Sequence, residues 1–137
     1  MESWKELKVW QKAHGLVLEI YKLTAEFPND ERFRLTDQLC RAAASVAANI
    51  VEGQSRQTTK EYVHFLHNAR GSLEETRYHL LLARDLKLLD PDRHAALETD
   101  CETVSKMLNG LIPFNRLSER KIEGLRDKGQ GVSRPNP

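Results

Sequence analysis

Apolar side chains recur along this chain at alternating spacings of three and four residues, which is the repeat of one face of an α-helix. The first run of such positions is Leu7, Trp10, His14, Val17, Tyr21 and Thr24. Ser3 and Glu6 precede this run with the spacing of a capping box, and Pro28 follows it, where proline disfavours helix in the residue before. The pattern predicts a first helix over residues 4–27, with this stripe packed against the core.

Capping signals mark the starts of two further helices. Residues 28–35 are predicted to form a loop, after which Thr36 is the expected N-cap of a second helix that runs to about Gly53. Thr58 and Glu61 form another capping box, so a third helix should begin just after Thr58. The expected core stripe of the second helix is Leu39, Ala42 or Ala43, Val46 and Ile50. That of the third helix is Tyr62, Phe65, Ala69, Leu73, Thr76, Leu80 and Ala83.

A fourth helix is predicted from Asp90, an N-cap residue followed by Pro91 at the first helical position, where the missing N–H costs nothing. Its expected stripe is Leu97, Cys101, Val104, Leu108, Leu111 and Asn115. Short connections favour antiparallel neighbours, because a few residues cannot carry the chain back along a helix of ~30 to 40 Å. No window alternates with the period of two that is typical of a half-buried strand. The sequence therefore predicts an all-α fold, an antiparallel up-down-up-down four-helix bundle.

The length of the chain favours a single domain, since 137 residues are enough for one core but too few for two comfortable ones. We expect the four-helix bundle to occupy residues 1–119. Residues 120–137 contain five basic and two acidic side chains, and the Gly- and Pro-rich stretch from residue 128 onward cannot build a core. This segment is predicted to be a basic, disordered C-terminal tail.

Charge and cysteine content exclude several classes of protein. The 21 basic and 20 acidic side chains leave a net charge of +1, so bulk charge would not hold a polyanion and any nucleic-acid contact must be local. Cys40 and Cys101 form no CxxC pair, which argues for free thiols rather than a zinc framework or a secreted disulfide scaffold. The N-terminus is charged, without a signal-peptide core, and no apolar run approaches the ~18 residues of a membrane span. We expect a cytoplasmic protein with no membrane partner.

Catalytic and metal-binding patterns are sparse. Glu61 and His64 have the Glu-x-x-His spacing of half a di-iron site, but such a site needs a second pair from another helix. His64 and His67 are two imidazoles without an evident third ligand. The chain has no glycine-rich phosphate loop, and no nucleophile has an evident base beside it. We therefore expect no catalytic residues, no metal and no cofactor, in a protein that is not an enzyme.

Asn49 and Glu52 follow a run of small side chains at residues 42–48, over which another helix can approach closely. A polar group near such a contact must be hydrogen-bonded, or it costs ~1 to 3 kcal/mol. One interpretation is that both residues anchor the corner between the second and third helices, together with Ser72, Glu75 or backbone groups. The other is a site for a ligand or a partner. We call Asn49, Glu52, Ser72 and Glu75 the polar corner.

Arginines follow one face of the third helix. Arg70, Arg77 and Arg84 are seven residues apart, and Arg56 and Lys60 lie near the start of the helix. Such side chains supply point charges for phosphates. The face is either a solvated surface with local ion pairs or a stripe that contacts RNA or DNA. These five residues are the candidate nucleic-acid-binding residues.

The segment that begins at Asn49 contains a recognisable signature. Residues 49–56 read NIVEGQSR and residues 60–62 read KEY, which resembles the N-I-x-E-G and K-E-[YF] signature of the bacterial four helix bundle protein family. That family includes proteins encoded in intervening sequences of 23S rRNA genes, and it is similar to the accessory variability determinant of diversity-generating retroelements. The further matching segments are LKVWQKAH at 7–14, LT-x-QL-x-RAA at 35–43, HFL at 64–66, GSL-x-E at 71–75 and KMLNGLI at 106–112.

The resemblance implies a four-helix bundle that assembles as a homopentamer and has a non-enzymatic role in binding nucleic acid, a reverse transcriptase, or both. The competing hypothesis is a purely structural homo-oligomeric assembly protein without a nucleic-acid partner. The chain departs from the family pattern at Ala48, often Ser, at Gln54, often aromatic, and at Lys87, often the glycine that caps the third helix. Lys87 should cost ~1 kcal/mol if its backbone is left-handed.

Overall fold

The computed structural model describes the backbone of residues 3–130 and the side chains of residues 3–112. Within that part of the chain the regular structure is helical and contains no strand. The four long helices are α1 (Lys8–Thr24), α2 (Asp37–Gln54), α3 (Thr59–Asp85) and α4 (Pro91–Gln130). A separate 3₁₀ turn at Trp4–Glu6 precedes α1, so the first helix begins at Lys8 rather than at residue 4. The all-α prediction is confirmed.

Each long helix packs against its neighbours in the chain, and α1 also packs against α4. α2 and α3 run antiparallel, because Gly53 near the end of α2 meets Tyr62 near the start of α3. α3 and α4 also run antiparallel, since Arg70 in the first half of α3 reaches Asn109, far along α4. The helices thus follow one another around an up-down-up-down bundle, as predicted, and α1 lies diagonally opposite α3.

The core contains most of the predicted stripes of α2, α3 and α4. The expected positions that are buried are Leu39, Ala42, Ala43, Val46 and Ile50 on α2, Ala69, Leu73, Thr76, Leu80 and Ala83 on α3, and Leu97, Cys101, Val104 and Leu108 on α4. Further along α4 the buried residue is Ile112, while Leu111 is half-buried. Asn115 lies outside the residues whose side chains are described.

At the start of α3 the buried stripe is one residue later than predicted. Val63 and Leu66 are buried, whereas Tyr62 and Phe65 are half-buried. The reason is that Tyr62 and Phe65 pack on Gly53 at the corner between α2 and α3 instead of pointing into the centre of the bundle.

Of the predicted core stripe of α1, Thr24 is buried and Leu7 is half-buried against the core, but the phase of the rest was wrong. The residues that α1 buries are Val9, Ala13, Leu16, Ile20, Leu23 and Thr24. His14 and Tyr21 are exposed, and Trp10 and Val17 are half-buried. Two apolar stripes therefore lie side by side on α1, because both satisfy the helical spacing. The aliphatic stripe faces the core, and the stripe that contains the aromatic residues lies beside it.

The predicted loop between the first and second helices is helical instead. A 3₁₀ turn at Asn29–Glu31 leads into a π-helical turn at Arg32–Thr36, which continues directly into α2. The π turn closes with the Asp37 N–H bonded to the Arg32 carbonyl, five residues earlier. Thr36 was expected to cap α2, but its backbone is already helical and its side chain makes no capping bond. Because the Arg32 carbonyl in the π turn already accepts from the Asp37 N–H, this donor needs no side-chain cap.

The starts of α3 and α4 follow the predicted capping chemistry. The Thr58 hydroxyl accepts a hydrogen bond from the Glu61 N–H at 3.1 Å. The Asp90 carboxylate accepts one from the Arg93 N–H at 2.9 Å. Each side chain satisfies a backbone donor that has no partner within its helix, so both helix starts are set locally.

α3 ends at a left-handed residue that is not glycine. Lys87 has a φ of 63°. The Lys87 N–H binds the Arg84 carbonyl and the Leu88 N–H binds the Ala83 carbonyl, each at 2.9 Å, which is the pattern of a Schellman motif. The left-handed conformation considered for Lys87 is confirmed, and a residue with a Cβ is strained there by about 1 kcal/mol.

The backbone of α4 remains helical through Gln130, beyond the bundle boundary expected after residue 119. Residues 131–137, the last part of the predicted tail, lie outside the described residues. The division into a bundle over residues 1–119 and a basic tail over residues 120–137 stays a prediction. Among the helices of the described region, none combines the length and the apolar character that crossing a bilayer requires.

Candidate functional site

Small polar side chains link α2 to α3 part-way along the two helices. Ser45 Oγ and Ser72 Oγ share a hydrogen bond of 2.8 Å. The Asn49 amide donates to the Ser45 carbonyl at 2.8 Å and to the Ser45 hydroxyl at 3.0 Å. All three residues are half-buried, so these bonds replace water that the helix contact excludes. Two members of the polar corner, Asn49 and Ser72, are therefore joined through Ser45, a residue outside the predicted set.

The other two members of the polar corner lie outside this network. Glu52 Oε2 accepts a hydrogen bond from Arg56 Nη2 at 3.0 Å. Glu75 Oε1 lies 3.5 Å from Nε2 of the buried His79. Both carboxylates are exposed. The structure therefore divides the polar corner into one bridge between helices and two surface carboxylates.

Gly53 allows the close contact between the end of α2 and the start of α3. A Cβ at this position would lie 3.2 Å from Phe65 Cβ and 3.3 Å from Tyr62 Cδ1. Arg56 stacks over Phe65, with its guanidinium carbon 4.6 Å from the ring centroid. Burial raises the pKa of Tyr62, partly offset by a hydrogen bond with the Gln54 side chain. The NIVEG and KEY segments thus build a tight corner between two helices.

Two of the spaced arginines of α3, Arg70 and Arg77, lie along its α4 side. Arg70 donates to Asn109 Oδ1 of α4 at 3.2 Å and to His67 Nδ1 at 3.1 Å. Arg77, two turns further along, reaches Glu98 of α4. Neutral groups bind Arg70, so its positive charge is not cancelled by these contacts, whereas Arg77 faces a carboxylate.

Arg77 has acidic partners on both sides. Its Nε donates to Glu98 Oε1 at 2.9 Å, and its Nη1 donates to Glu74 Oε1 at 2.9 Å. The hydrogen bond to Glu98, and after it the bond to Glu74, outweigh partial burial and raise the pKa of Arg77 above its ordinary value. These contacts connect α3 to α4. The two carboxylates also balance the charge of the Arg77 guanidinium, so the cluster has no net positive charge to offer a phosphate.

The remaining candidate nucleic-acid-binding residues lie at the two ends of α3. Arg56 pairs with Glu52 before its start, and Arg84 pairs with Asp85 at 3.0 Å near its end. Lys60 is exposed in the first turn and forms no ion pair within the described residues. The five candidates therefore lie on the α3–α4 side and at both ends of α3. Arg56, Arg77 and Arg84 are paired with carboxylates, whereas Lys60 and Arg70 have no ion pair within the described residues.

A second apolar surface lies on the outside of α1. We call Trp10, His14, Val17, Leu18 and Tyr21 the outer α1 surface. The rings of Trp10 and His14 stack with their centroids 4.8 Å apart, and Leu18 and Tyr21 are 50% and 52% exposed. Thr24, one turn further along the same edge of the helix, contacts α2. The outer α1 surface therefore lies on the α1–α2 side of the bundle.

A groove lies between α3 and α4. This α3–α4 groove has a volume of about 400 Å³ and is lined by Glu74, Arg77, Tyr78, Leu81, His94 and Glu98. Tyr78 and Leu81 are 58% and 37% exposed and give the groove its apolar wall. The α3–α4 side is opposite the α1–α2 side in a four-helix bundle. The groove and the outer α1 surface therefore face away from each other.

Within the described residues, no group of three or more histidine, cysteine, aspartate or glutamate side chains is placed to hold a metal ion. Cys40 and Cys101 are free thiols, as expected. Burial, together with the nearby charge of Glu98, raises the pKa of Cys101 to about 12. Since the thiolate is the reactive form, Cys101 is inert at neutral pH.

Residues 5–110 match the model of a family described as 23S rRNA-intervening sequence protein. The match covers well over half of the chain and includes α1, α2, α3 and the first half of α4. The chain belongs to this family. The resemblance noted in the NIVEG and KEY segments is thereby confirmed for the intervening sequence proteins.

A solved structure has the same fold as this chain. It is a protein of unknown function from the S23 ribosomal protein family of Bacteroides thetaiotaomicron, similar to this chain with a TM-score of 0.69 and 23% sequence identity. The similarity covers 76% of this chain and 97% of that chain. A search among curated proteins finds no match.

Two features of the site have a signal in the sequence, although neither Ser45 nor the pair Tyr78 and Leu81 was among the predicted site residues. Ser45 stands four residues before Asn49, within reach of a side chain on the same helix face. Tyr78 and Leu81 are large apolar residues on a helix whose core stripe is already complete without them. Apolar residues left over from the core stripe are the signal of a second contact surface.

Proposed function

We propose that this protein is a non-enzymatic cytoplasmic adaptor that assembles into a homo-oligomeric ring and, as a ring, binds nucleic acid, a reverse transcriptase, or both. The observation that carries the proposal is the pair of apolar surfaces on opposite sides of the bundle. The outer α1 surface and the α3–α4 groove each expose an aromatic side chain, Tyr21 and Tyr78 respectively. A second copy of the chain on each side would remove both from water.

Two different surfaces on opposite sides favour head-to-tail contacts. When the outer α1 surface of one copy enters the α3–α4 groove of the next, each copy uses both surfaces, and a ring forms if the rotation between copies closes. A two-fold dimer would instead bury one surface twice and leave the other exposed. The expectation of five copies comes from the resemblance to family members that form homopentamers.

Nucleic-acid binding is supported by the family, whose description refers to 23S rRNA, and by the basic residues around the start of α3. Lys60 lies at that end without an ion pair within the described residues, and Arg70 has only neutral partners among its hydrogen bonds. One copy with a net charge of +1 offers few phosphate contacts, but a ring repeats them in every subunit. Arg77 belongs to the wall of the α3–α4 groove and is assigned to assembly instead.

The second candidate function is a purely structural assembly without a nucleic-acid partner. The ion pairs of Arg56, Arg77 and Arg84 favour it, because each already neutralises a cation that would otherwise be available to phosphate. Both candidate functions share the oligomeric ring and differ in what the ring binds.

Light scattering at micromolar concentration tests the assembly. We expect a mass several times the 15.7 kDa of one chain. A monomer throughout the micromolar range would reject the ring and remove the reason for assigning the two apolar surfaces to subunit contacts.

Fluorescence anisotropy between about 50 and 200 mM salt separates the two candidate functions. The adaptor should bind structured RNA or duplex DNA with an affinity that falls steeply with salt, because each neutralised phosphate releases condensed counterion. A protein that assembles but binds neither nucleic acid at the low-salt end would support the structural role or a protein partner.

A further inference from the structure

An exposed phenylalanine lies at the end of the bundle where the α1–α2 and α3–α4 connections meet. Phe33 is 83% exposed, more than any other large apolar side chain in the described part of the chain. It is the second residue of the π-helical turn at Arg32–Thr36. Phe33 belongs neither to the core nor to the two surfaces assigned to subunit contacts.

The π turn places this ring outside the core. Glu31 and Leu35, two residues before and two residues after Phe33, are both buried, so the backbone directs Phe33 to the opposite side. The Glu31 carboxylate lies 3.3 Å from Arg34 Nη1, which ties the turn together. π-helical turns are rare and frequently lie at functional sites. The exposure of Phe33 is therefore fixed by a turn that buried Leu35 and the Glu31–Arg34 ion pair hold in place.

Charged residues lie next to Phe33 in the chain, and one of them contacts its ring. The Arg32 guanidinium carbon is 5.3 Å from the ring centroid, and Arg32 forms no ion pair within residues 3–112. Arg34 is mostly exposed, and Asp30 is an exposed acidic residue in the preceding turn. An apolar protein partner would have to desolvate these charges. A nucleotide instead offers a flat π-system to the ring and a phosphate to Arg32.

We infer that Phe33, with Arg32, is a stacking site for an unpaired base of a single-stranded nucleic acid. The inference rests on the proposed nucleic-acid function and adds which part of the nucleic acid is bound, and where. Acidic residues balance the arginines in this turn, so stacking contributes more than charge. In a ring, the site recurs in every subunit at the same rim.

The loss of a single base-stacking contact lowers the affinity for nucleic acid by a measurable factor. Replacing such an aromatic residue by alanine weakens binding by roughly five- to 150-fold. Bases in a duplex are stacked on one another and do not reach a ring on the protein surface. We therefore expect Phe33 to contribute to the binding of single strands and not to the binding of duplexes.

The experiment measures anisotropy of a labelled single-stranded RNA, and of the same RNA paired with its complement, against the full-length chain and its variants. Phe33→Ala removes the ring, Phe33→Leu keeps an apolar side chain without a π face, and Phe33→Tyr keeps the π face. We expect alanine and leucine to weaken single-strand binding at least five-fold, and tyrosine to bind like the wild type. Duplex affinity and oligomer mass should be unchanged in all three.

Leu86→Ala is the matched control, because Leu86 is another apolar residue at the same end of the bundle, 52% exposed and without a ring. It should bind single strands like the wild type. If Phe33→Ala also does so, the stacking site is rejected while the proposed function stands. If Phe33→Leu retains full binding, the contact needs no π face and base stacking is rejected. If Phe33→Ala changes the oligomer mass, Phe33 is an apolar contact between subunits instead. If the wild type binds neither RNA at about 50 mM salt, the nucleic-acid function fails and the stacking site with it.

Discussion

Lys87 holds a left-handed backbone conformation that glycine adopts without strain. Lys87→Gly should therefore raise the free energy of unfolding by about 1 kcal/mol, because the Schellman hydrogen bonds remain and the Cβ is removed. Urea denaturation measures the change. Lys87→Ala is the matched control, since it shortens the side chain but keeps the Cβ. An equal gain from alanine and glycine would show that backbone strain is not the cause.

The buried thiol of Cys101 predicts a loss of stability at high pH. Burial raises its pKa to about 12 from an ordinary 9.0, so the folded chain keeps a proton that the unfolded chain releases. The contribution of the protonated Cys101 thiol to the free energy of unfolding is complete below pH 9 and is lost as the pH rises toward 12. Native Cys101 should resist iodoacetamide at pH 8. The decline in unfolding free energy above pH 9 should be smaller in Cys101→Ala, and an unchanged decline would assign it to other groups.

The Ser45–Asn49–Ser72 bridge predicts unequal effects within the polar corner. Asn49→Leu should lower the free energy of unfolding by about 1 to 3 kcal/mol, because half-buried polar groups of Ser45 lose their amide partner. Glu52→Leu should change it by less than about 1 kcal/mol, since Glu52 forms an exposed ion pair. Thermal or urea denaturation compares the two. Similar losses would mean that Glu52 has a structural role beyond its pair with Arg56.

Among the helices, α1 is the one in which the spacing of apolar residues does not identify the buried face. α2 and α4 have one apolar stripe each, so the helical period predicts both the helix and its buried face. α1 has two stripes, and spacing alone cannot rank them. The aliphatic stripe with Leu16 and Ile20 faces the core, because its side chains have no polar atoms to satisfy, whereas Trp10, His14 and Tyr21 keep polar atoms near water.

The π turn before α2 could not be predicted from local signals. Thr36 has the chemistry of an N-cap, and that chemistry is effective only when the preceding backbone leaves helix donors without partners. Here the Arg32 carbonyl accepts from the Asp37 N–H, so no cap is required. The same irregular turn exposes Phe33, and for this reason the proposed stacking site was absent from the sequence-based candidates.

For the whole molecule, the contacts of the arginines predict which of them bind phosphate. Arg70→Gln should flatten the dependence of nucleic-acid affinity on salt, because Arg70 keeps its charge beside neutral partners. Arg77→Gln should leave that slope nearly unchanged, since Glu74 and Glu98 already neutralise Arg77. Anisotropy titrations from about 50 to 200 mM salt compare the two variants. A larger change for Arg77 than for Arg70 would contradict this assignment.

The central claim is that the outer α1 surface of one copy binds the α3–α4 groove of the next, and mixing two variants tests it directly. One variant has Leu18→Glu and Tyr21→Glu, and the other has Tyr78→Glu and Leu81→Glu. All four side chains are exposed, so both variants should fold. Leu86→Glu, at an exposed residue outside both surfaces, is the control and should assemble like the wild type.

Light scattering should find a multimer for the wild type and a monomer for each double variant alone. An equimolar mixture should give a dimer, because each variant keeps the one surface that its partner needs, and no third copy can join. Full-sized assemblies from either variant would contradict the claim. A wild type that assembles while the mixture stays monomeric would also contradict the claim. A variant that dimerises alone would contradict it as well, because the contact would then join like surfaces.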